Sequence, residues 1–443
     1  MIAILQAGGA GTRLKAISGN LPKPMVPIGG KPILEHEINN LVENGITELY
    51  IVISKKGKSI PQYFGDGSSW GAHIHYLMEE EPLGTGGVLA LLHDVIQDDF
   101  IFCFADLMFH LSWSKFIAFH EQSGAAITAF AHPNSHPYDS DVLVADSAGF
   151  ISRIESKNEP RLLPYENLTN AGLYVAKKEV ADFVVDPVKI DFEKVILQHF
   201  IEQQKANVYR SSEYVKDCGT PERYEMVCQD LKEGIVFQKS LDHPQKCIFL
   251  DRDGTINRYQ GYVTRLVEME LLPGAAKAIR SINHSPYLAI CVTNQPVVAR
   301  GEVTETELQM IHRKMEDLLG EEGAYLDDLY YCPHHPDKGF PGERIEYKIE
   351  CSCRKPKIGM LLKAQEHYHI DFKESWMIGD TYRDVETGYN AGCKTILLTS
   401  GDPHKGTPDH HIQPDFVFPT LEEAVSFVLS QNGTFVDKKE KTK

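Results

Sequence analysis

The stretch Phe249-Leu250-Asp251-Arg252-Asp253-Gly254-Thr255 lies just past the midpoint of a chain of 443 residues. The short apolar run that starts at Cys247 leads into it and predicts a buried strand. Two carboxylates, Asp251 and Asp253, then follow where the strand should end, and Gly254 allows the backbone to turn sharply. Ligands of open α/β sheets collect at the carboxyl ends of strands. The stretch therefore predicts an α/β fold with a nucleophilic carboxylate beside a proton carrier.

Two other interpretations of this stretch are possible. An ordinary Asp-Gly turn is the simpler one, because Asp and Gly are common turn residues. Asp-x-Asp-Gly is also similar to the start of a calcium-binding loop, but that loop requires Glu at its twelfth position. The twelfth position counted from Asp251 is Tyr262, and no helix precedes the stretch, so the calcium loop is excluded.

The bulk composition is that of a globular enzyme with two or three domains. The chain is 42% apolar and 24% charged, and its formal net charge of −17 argues against a nucleic-acid partner. No apolar run approaches the roughly 20 residues of a membrane span, and the first residues predict a strand instead of a signal peptide. Most of the nine cysteines stand singly, which favours a cytoplasmic location. The sequence does not decide between a monomer and a homo-oligomer.

The N-terminal residues predict a phosphate-binding turn after a first strand, Ile2–Gln6. Three glycines after a strand allow backbone N–H groups to approach a phosphate closely, and Arg13 adds positive charge. Neither the dinucleotide-binding fingerprint nor the Walker loop fits their spacing. Two prolines then flank Lys23, which a plain exposed loop would also explain. The three glycines are Gly8, Gly9 and Gly11.

Further candidates follow at strand ends and turns of the same half. Gly84, Thr85 and Gly86 form a second glycine-rich turn, which suits a flat base or a ribose edge. A strongly apolar strand ends at Asp106, and Asp217 stands in a later tight turn; either carboxylate is a natural magnesium ligand. Strands alternate with helices here, which predicts a mostly parallel sheet.

Together these residues resemble the sugar-phosphate nucleotidyltransferase family, from Met1 to about Glu233. The resemblance implies a Rossmann-like domain with a mixed sheet that joins a sugar 1-phosphate to a nucleoside triphosphate with release of pyrophosphate. The matching motifs are Ala7–Leu14, Pro22–Met25, Glu81–Gly87, the strand ending at Asp106, Asn170-Ala171-Gly172-Leu173-Tyr174, and Asp217–Tyr224.

The resemblance also implies a role for each of these residues. The triphosphate would be held by Gly8, Gly9, Gly11 and Arg13, and the nucleoside site would be lined by Gly84, Thr85 and Gly86. Arg13 and Lys23 would be catalytic, because their positive charges neutralise the phosphates. Asp106 and Asp217 would share Mg²⁺, and Lys157, Asn170 and Gly172 would contact the sugar phosphate.

The second half repeats the pattern of carboxylates and hydroxyls at strand ends. One strand ends at Thr293 and Asn294, with Arg300 in the next turn, and another ends at Asp380; Lys355 lies between them in sequence. In this order, after Asp251, these residues resemble the haloacid-dehalogenase-like phosphatases. The resemblance implies a Rossmann-like (Rossmannoid) domain and an aspartyl-phosphate mechanism.

A C-x-H and a C-x-C pair predict one structural zinc site. Three thiolates and one imidazole complete a tetrahedral zinc shell with no open position. The surrounding loop is poor in apolar residues, so a metal would explain its order. The predicted ligands are Cys332, His334, Cys351 and Cys353.

The zinc loop and Cys353-Arg354-Lys355-Pro356 narrow the resemblance to the D-glycero-D-manno-heptose 1,7-bisphosphate 7-phosphatases. It implies that Asp251 is the nucleophile, that Asp253 protonates the leaving oxygen and then activates water, and that Mg²⁺ is bound. Thr293, Asn294 and Lys355 would hold the transferring phosphate, Arg300 and Arg354 would grip the distal 1-phosphate, and Asp251, Asp253 and Asp380 would hold the metal.

The two resemblances predict one bifunctional enzyme. A heptose 7-phosphatase leaves a heptose 1-phosphate, and the first half is most similar to guanylyltransferases that act on that compound, so the product would be a GDP-heptose for surface-polysaccharide assembly. We expect domains at 1–235 and 247–430, a linker at 236–246 and a flexible tail at 431–443. Alternatives are a histidinol-phosphatase-like domain fused to a transferase that uses another triphosphate, a nucleotide sensor with only the phosphatase active, and a scaffold protein.

Overall fold

The computed structural model describes residues 1–8, 17, 19, 21–161, 164–339, 341–401 and 412–431. The chain forms two compact units. Unit 1 comprises Met1–His132, Ser140–Asn158 and Leu168–Asp242. Unit 2 comprises Pro133–Asp139, Glu159–Asn167 and His243–Lys443, so two short segments of the N-terminal half group with the C-terminal half.

Unit 1 is built on a nine-stranded mixed sheet. Strands β1 and β6 lie at its centre and pair in parallel, and β11 pairs antiparallel with β6 on the far side. Four of the five β6 residues are fully buried, as expected for a strand covered on both faces. The strands of unit 1 are β1 (Ile2–Gln6), β2 (Pro27–Ile28), β3 (Lys31–Pro32), β4 (Glu48–Ser54), β5 (His73–Glu79), β6 (Phe100–Phe104), β7 (Leu107–His110), β8 (Ile127–His132), β9 (Val142–Ala145), β10 (Ile151–Glu155), β11 (Thr169–Ala176), β12 (Ala206–Arg210) and β13 (Tyr214–Asp217).

Helices cover both faces of this sheet and enclose two apolar cores. A π-helical turn, Phe192–Leu197, leads into one of them. The α-helices of unit 1 are α1 (Ile33–Glu43), α2 (Ser59–Phe64), α3 (Leu89–Leu92), α4 (Trp113–Ser123), α5 (Lys178–Asp182), α6 (Gln198–Glu202), α7 (Pro221–Lys232) and α8 (Ile235–Gln238).

A two-stranded ribbon of β7 and β13 stands apart from the main sheet. Its antiparallel register places Asp217 opposite Leu107, the residue after Asp106. Helix α1 anchors the ribbon, because buried Glu37 accepts the Leu107 N–H at 3.1 Å and buried Asn40 accepts the Leu111 N–H at 3.3 Å. The ribbon therefore brings two distant carboxylates to one place.

Unit 2 contains a six-stranded sheet in which every neighbouring pair is parallel. The strand order is β16-β15-β14-β17-β18-β19, so the chain leaves β14 on one side and returns on the other. This reversal creates a crevice at the carboxyl end of β14, which is where open α/β sheets bind ligands. The strands are β14 (Lys246–Leu250), β15 (Tyr287–Asn294), β16 (Asp328–Cys332), β17 (Trp376–Gly379), β18 (Lys394–Leu398) and β19 (Phe416–Phe418).

The helices of unit 2 have start signals in the sequence. In the longest, the Thr304 hydroxyl accepts the Glu307 N–H at 3.1 Å while Glu307 accepts the Thr304 N–H at 2.7 Å, which is a capping box. The α-helices of unit 2 are α9 (Ala275–Asn283), α10 (Glu305–Glu321), α11 (Gly359–Tyr368), α12 (Tyr382–Ala391) and α13 (Leu421–Gln431).

The predicted fold class is confirmed in both halves: each is α/β, the first with a mixed sheet and the second with a parallel one. Along the chain, the boundary between the two units falls between Asp242 and His243, and both residues belong to the predicted linker. None of the described helices is both long and apolar enough to cross a membrane.

A buried carboxylate binds the backbone near the C-terminal end of unit 1. Glu213 is 2% exposed, and one of its oxygens accepts the N–H groups of Ser112 at 2.7 Å and Leu241 at 3.0 Å. The Ser211 hydroxyl donates to its other oxygen at 3.1 Å. Burial nevertheless raises the pKa of Glu213 from 4.5 to about 7, so the folded chain keeps this proton where the unfolded chain loses it.

We predict that this group makes unit 1 less stable as the pH rises from about 4.5 to about 7, by about 3 kcal/mol, since one pKa unit corresponds to about 1.4 kcal/mol. Glu213→Gln stays neutral and should match wild type in melting temperature at pH 5 but exceed it at pH 8, measured by calorimetry. Exposed Glu225→Gln is the control. The prediction would be contradicted if the difference in melting temperature between Glu213→Gln and wild type were the same at pH 5 and at pH 8.

Candidate active sites

The candidate centre of unit 2 lies at the carboxyl ends of three neighbouring strands. Asp251 follows β14 directly, Asp380 follows β17, and Thr293 is the penultimate residue of β15. The Asp251 N–H donates to the Ile378 carbonyl at 3.0 Å, so the nucleophile candidate stays in register with β17. The structure thus brings together residues that are 129 positions apart, as the strand-end pattern predicts.

A lysine joins two carboxylates at this centre. Lys355 Nζ lies 2.9 Å from Asp251 Oδ1 and 2.5 Å from Asp384 Oδ1, and its side chain is 2% exposed. Burial alone would lower the pKa of Lys355, but the charges of Asp251 and Asp384 raise it above its usual value. The ammonium therefore stays charged beside Asp251.

Asp251 itself has a perturbed acidity. Burial and the neighbouring charge of Asp384 raise the pKa of Asp251 to about 6, against the opposing effect of Lys355. Near neutral pH the side chain is mainly the carboxylate, which is the form that attacks phosphorus.

Asn294 holds the main chain of Lys355. Its Oδ1 accepts the Lys355 N–H at 2.9 Å, and its Nδ2 donates to the Lys355 carbonyl at 3.1 Å. Asn294, which is predicted to hold the transferring phosphate, thus also supports the main chain of the lysine.

Three carboxylates converge as a candidate metal site. Oxygen atoms of Asp251, Asp380 and Asp384 all lie within 4.8 Å of one another. Gly254, with φ of +79°, lies so close to Asp380 that any side chain there would overlap the carboxylate. Carboxylate oxygens are the ligands that Mg²⁺ prefers. Asp384 takes part in this group, and the Asp253 carboxylate does not.

The Asp253 carboxylate is surrounded by donors instead. Arg252 Nη2 lies 2.9 Å from both of its oxygens, Asn257 Nδ2 lies 3.0 Å from Oδ1, and Gln295 Nε2 lies 2.8 Å from Oδ2. The three donor side chains are each no more than 2% exposed. This carboxylate is therefore oriented by its neighbours.

The two arginines predicted to grip a distal phosphate share Tyr262 as a neighbour. Arg300 Nε contacts Glu302 Oε1 at 2.6 Å, and its guanidinium lies 4.9 Å from the centre of the Tyr262 ring. Arg354 Nη1 donates to the His334 carbonyl at 3.1 Å. Burial and then the charge of nearby Arg383 lower the pKa of Arg354. Arg354 and Arg383 therefore lie close enough for their charges to interact.

The predicted zinc ligands form one cluster with four donor atoms within 4.8 Å of one another. The sulfur of Cys332 lies 3.6 Å from that of Cys351 and 3.2 Å from that of Cys353, and the latter two are 3.3 Å apart. His334 Nδ1 lies 3.4 Å from Cys353 Sγ. Three thiols and an imidazole at these distances fit a tetrahedral zinc shell.

The candidate centre of unit 1 is a cluster of two carboxylates and two cations. Lys23 Nζ lies 2.6 Å from Asp106 Oδ2. Arg223 Nη1 lies 2.5 Å from Asp217 Oδ2, and the Gly219 N–H donates to Asp217 Oδ1 at 2.7 Å. The two residues are neighbours through the backbone, because Asp217 pairs with Leu107 and the Cys218 N–H donates to the Asp106 carbonyl at 3.5 Å.

The predicted nucleotide-binding residues are described only in part. Gly9, Gly11 and Arg13 lie outside the described residues. Gly8 lies against Glu79, whose Oε2 would be 2.9 Å from a Cβ at this position.

The second glycine-rich turn packs against the segment before the π-helical turn. Gln6 Nε2 donates to the Gly84 carbonyl at 2.9 Å, Gly86 N–H to the Ile190 carbonyl at 2.9 Å, and Phe192 N–H to Thr85 Oγ1 at 2.8 Å. These bonds fix the turn that the sequence assigned to the nucleoside.

The predicted sugar-binding residues gather around a carboxylate that the sequence did not reveal. Asn170 Nδ2 donates to Glu193 Oε1 at 2.7 Å, and the Tyr174 hydroxyl donates to the same oxygen at 2.8 Å. Burial raises the pKa of Glu193, and the charge of Lys157 opposes that rise. Gly172, with φ of +76°, turns the strand between Asn170 and Tyr174. Glu193 belongs to no glycine-rich turn or strand end, so no pattern could single it out.

The comparisons with known proteins divide the chain in the same way. The Nucleotidyl transferase family model matches residues 2–234, and the HAD-hydrolase-like model matches residues 352–424. The D-glycero-β-D-manno-heptose-1,7-bisphosphate 7-phosphatase of Escherichia coli (strain K12) is 37% identical over 185 residues, which cover 42% of this chain and 94% of that protein.

Two solved structures are also similar. HddC from Yersinia pseudotuberculosis is 27% identical, with a TM-score of 0.46 over 52% of this chain and 98% of its own. The D,D-heptose 1,7-bisphosphate phosphatase from B. bronchiseptica, solved with magnesium and phosphate, is 30% identical, with a TM-score of 0.37 over 42% of this chain and 99% of its own.

We predict that Lys355→Met reduces phosphatase turnover at least 100-fold, because buried Asp384 and partly buried Asp251 lose the cation between them. Orthophosphate release measures this directly. Lys357→Met is the matched control, since Lys357 is 53% exposed and pairs with exposed Glu350. Turnover within twofold of wild type in Lys355→Met would refute the role of this lysine.

Proposed function

The chain belongs to the nucleotidyl transferase family through its N-terminal half and to the D-glycero-β-D-manno-heptose-1,7-bisphosphate 7-phosphatase family through its C-terminal half, and we propose that it catalyses two consecutive reactions. Unit 2 removes the 7-phosphate of a heptose 1,7-bisphosphate. Unit 1 transfers a nucleotidyl group, GMP from GTP, to the heptose 1-phosphate that remains. The observation that carries the first step is the buried Asp251–Lys355–Asp384 arrangement at the crevice of the parallel sheet.

The phosphatase step proceeds by two displacements. An Asp251 oxygen attacks phosphorus while the bond to the sugar oxygen breaks, and Asp253 gives that oxygen a proton. Asp253 then takes a proton from water, whose oxygen attacks phosphorus and releases orthophosphate from Asp251. Lys355 and the Thr293 hydroxyl hold the phosphate oxygens throughout, and Lys355 offsets their charge.

The distal phosphate would be recognised by Arg300 and Arg354. Both guanidiniums lie near Tyr262, and guanidinium pairs well with phosphate through two parallel hydrogen bonds. These contacts favour a sugar that carries a second phosphate.

The nucleotidyl step brings two anions together. An oxygen of the sugar 1-phosphate attacks the α-phosphorus of the triphosphate, and pyrophosphate leaves. Lys23 and Arg13 would neutralise the phosphates, with Gly8, Gly9 and Gly11 holding them from the backbone and Gly84, Thr85 and Gly86 lining the nucleoside. Lys157, Asn170 and Gly172 would position the sugar phosphate, with Glu193 orienting the Asn170 amide.

Metal ions complete this proposal. The carboxylates of Asp251, Asp380 and Asp384 fit Mg²⁺ in unit 2, and Asp106 with Asp217 would hold Mg²⁺ in unit 1. When bound, Mg²⁺ supplies positive charge that stabilises the transferring phosphoryl group. Cys332, His334, Cys351 and Cys353 would hold a structural Zn²⁺.

A cytoplasmic location is part of the proposal. All nine cysteines are free thiols, as in proteins of reducing compartments. Sugar phosphates and nucleoside triphosphates are the small-molecule partners, and the cytoplasm supplies both.

We predict that Asp251→Asn abolishes orthophosphate release yet leaves nucleotidyl transfer from supplied heptose 1-phosphate within twofold of wild type. Asp106→Asn should have the opposite effect, because each variant removes a carboxylate of one centre only. Each variant is the folding control for the other, and products are separated by anion-exchange chromatography. Loss of both activities in either variant would overturn the assignment of two centres.

We also predict that Cys351→Ser lowers bound zinc by about one equivalent and lowers the melting temperature of unit 2, because a structural zinc contributes directly to folding. Metal content is measured by mass spectrometry after gel filtration. Cys393→Ser, a buried cysteine outside the cluster, should keep its zinc. Equal zinc in both variants would rule out this metal assignment.

A further inference from the structure

One buried amide connects the phosphate-binding hydroxyl to the proton carrier of unit 2. Gln295 is 2% exposed, and its Nε2 donates to Asp253 Oδ2 at 2.8 Å and to Thr293 Oγ1 at 2.9 Å. An amide nitrogen carries two hydrogens, so these two bonds use both. The opposite orientation would set the amide oxygen against the Asp253 carboxylate, which excludes it.

This amide determines the direction in which the Thr293 hydroxyl donates. Thr293 Oγ1 accepts from Gln295, which leaves the hydroxyl hydrogen to donate to another acceptor. A phosphate oxygen next to Asp251 is such an acceptor. Gln295 thus fixes Thr293 as a donor to an anion.

The same amide determines where the Asp253 carboxylate lies. Asp253 also accepts from Arg252 and Asn257, which are each 0% exposed. These two neighbours lie within four residues of Asp253 on the same loop, whereas Gln295 lies on the segment after β15. Gln295 is therefore the contact that ties the proton carrier to the strand that binds the phosphate.

We propose that Gln295 is a positioning residue of the phosphatase, which holds Asp253 at the distance from the Thr293-bound phosphate that proton transfer to the leaving oxygen requires. The inference rests on the proposed phosphatase function and adds a residue to it. A general acid in the correct position accelerates such reactions about 10²- to 10⁴-fold, and this benefit depends on its geometry.

The dependence on the leaving group tests this role. Gln295→Met retains the length of the side chain and removes both donors, and Gln295→Glu replaces the donors by a carboxylate that repels Asp253. Each variant is compared with wild type on the heptose 1,7-bisphosphate and on the analogue in which sulfur replaces the bridging oxygen at C7. A thiolate leaves without a proton, so that substrate has no need of Asp253 as an acid.

In both variants kcat/KM for the oxygen substrate should fall about 100-fold more than kcat/KM for the sulfur substrate, since any loss of phosphate binding through Thr293 lowers both values equally. Gln365→Met is the structural control, since the Gln365 side chain donates to the Ile370 carbonyl at 3.1 Å, and the change should affect the two substrates equally. Equal losses on both substrates in the Gln295 variants, or a gain in activity, would overturn the proposal. Wild type that hydrolyses neither substrate would instead refute the phosphatase function itself.

Discussion

An ammonium group buried between two carboxylates is the interaction on which the phosphatase centre depends. Lys355 is 2% exposed and contacts both Asp251 and Asp384. Two carboxylates this close repel each other strongly where they are shielded from solvent. Removing the cation from such a buried pair destabilises a protein by more than the intact pair stabilises it. The local backbone supports this arrangement, because Asn294 binds the main chain of Lys355 on both sides and Gly254 leaves room for Asp380.

Both units place local positive charge at a candidate centre, although the chain as a whole is negatively charged. The chain carries a formal net charge of −17, yet both proposed substrates are polyanions. Each centre therefore places cations directly against its carboxylates: Lys23 and Arg223 beside Asp106 and Asp217 in unit 1, and Lys355 in unit 2. Local charge of this kind determines binding because it acts at short range. Salt screens the charges of the rest of the chain, which lie farther than about 10 Å from the substrate.

The sequence predicts the fold class because each parallel strand is a short apolar run that ends in a polar residue, as at Asp251 and Asp380. It predicts less where a position depends on long-range pairing. Opposing β7 and β13 bring Asp217 to Asp106 across 111 positions, and only the register of that ribbon reveals the contact. Gln295 is adjacent to Thr293 and Asn294 in the chain, but its bond to Asp253 depends on where the loop after β14 folds. Neither the grouping of Pro133–Asp139 with unit 2 nor the role of Glu193 leaves a pattern in sequence.

The central claim is that one chain performs both reactions in order, and a single set of incubations tests it most directly. Wild-type protein, Mg²⁺ and each anomer of D-glycero-D-manno-heptose 1,7-bisphosphate would be combined with GTP, ATP, CTP, UTP or dTTP, and the products identified by mass spectrometry. The account predicts orthophosphate in every tube that contains the accepted anomer, with pyrophosphate and GDP-heptose only where GTP is present. Nucleotide-sugar that retains the 7-phosphate, or orthophosphate without nucleotide-sugar from any triphosphate, would contradict it.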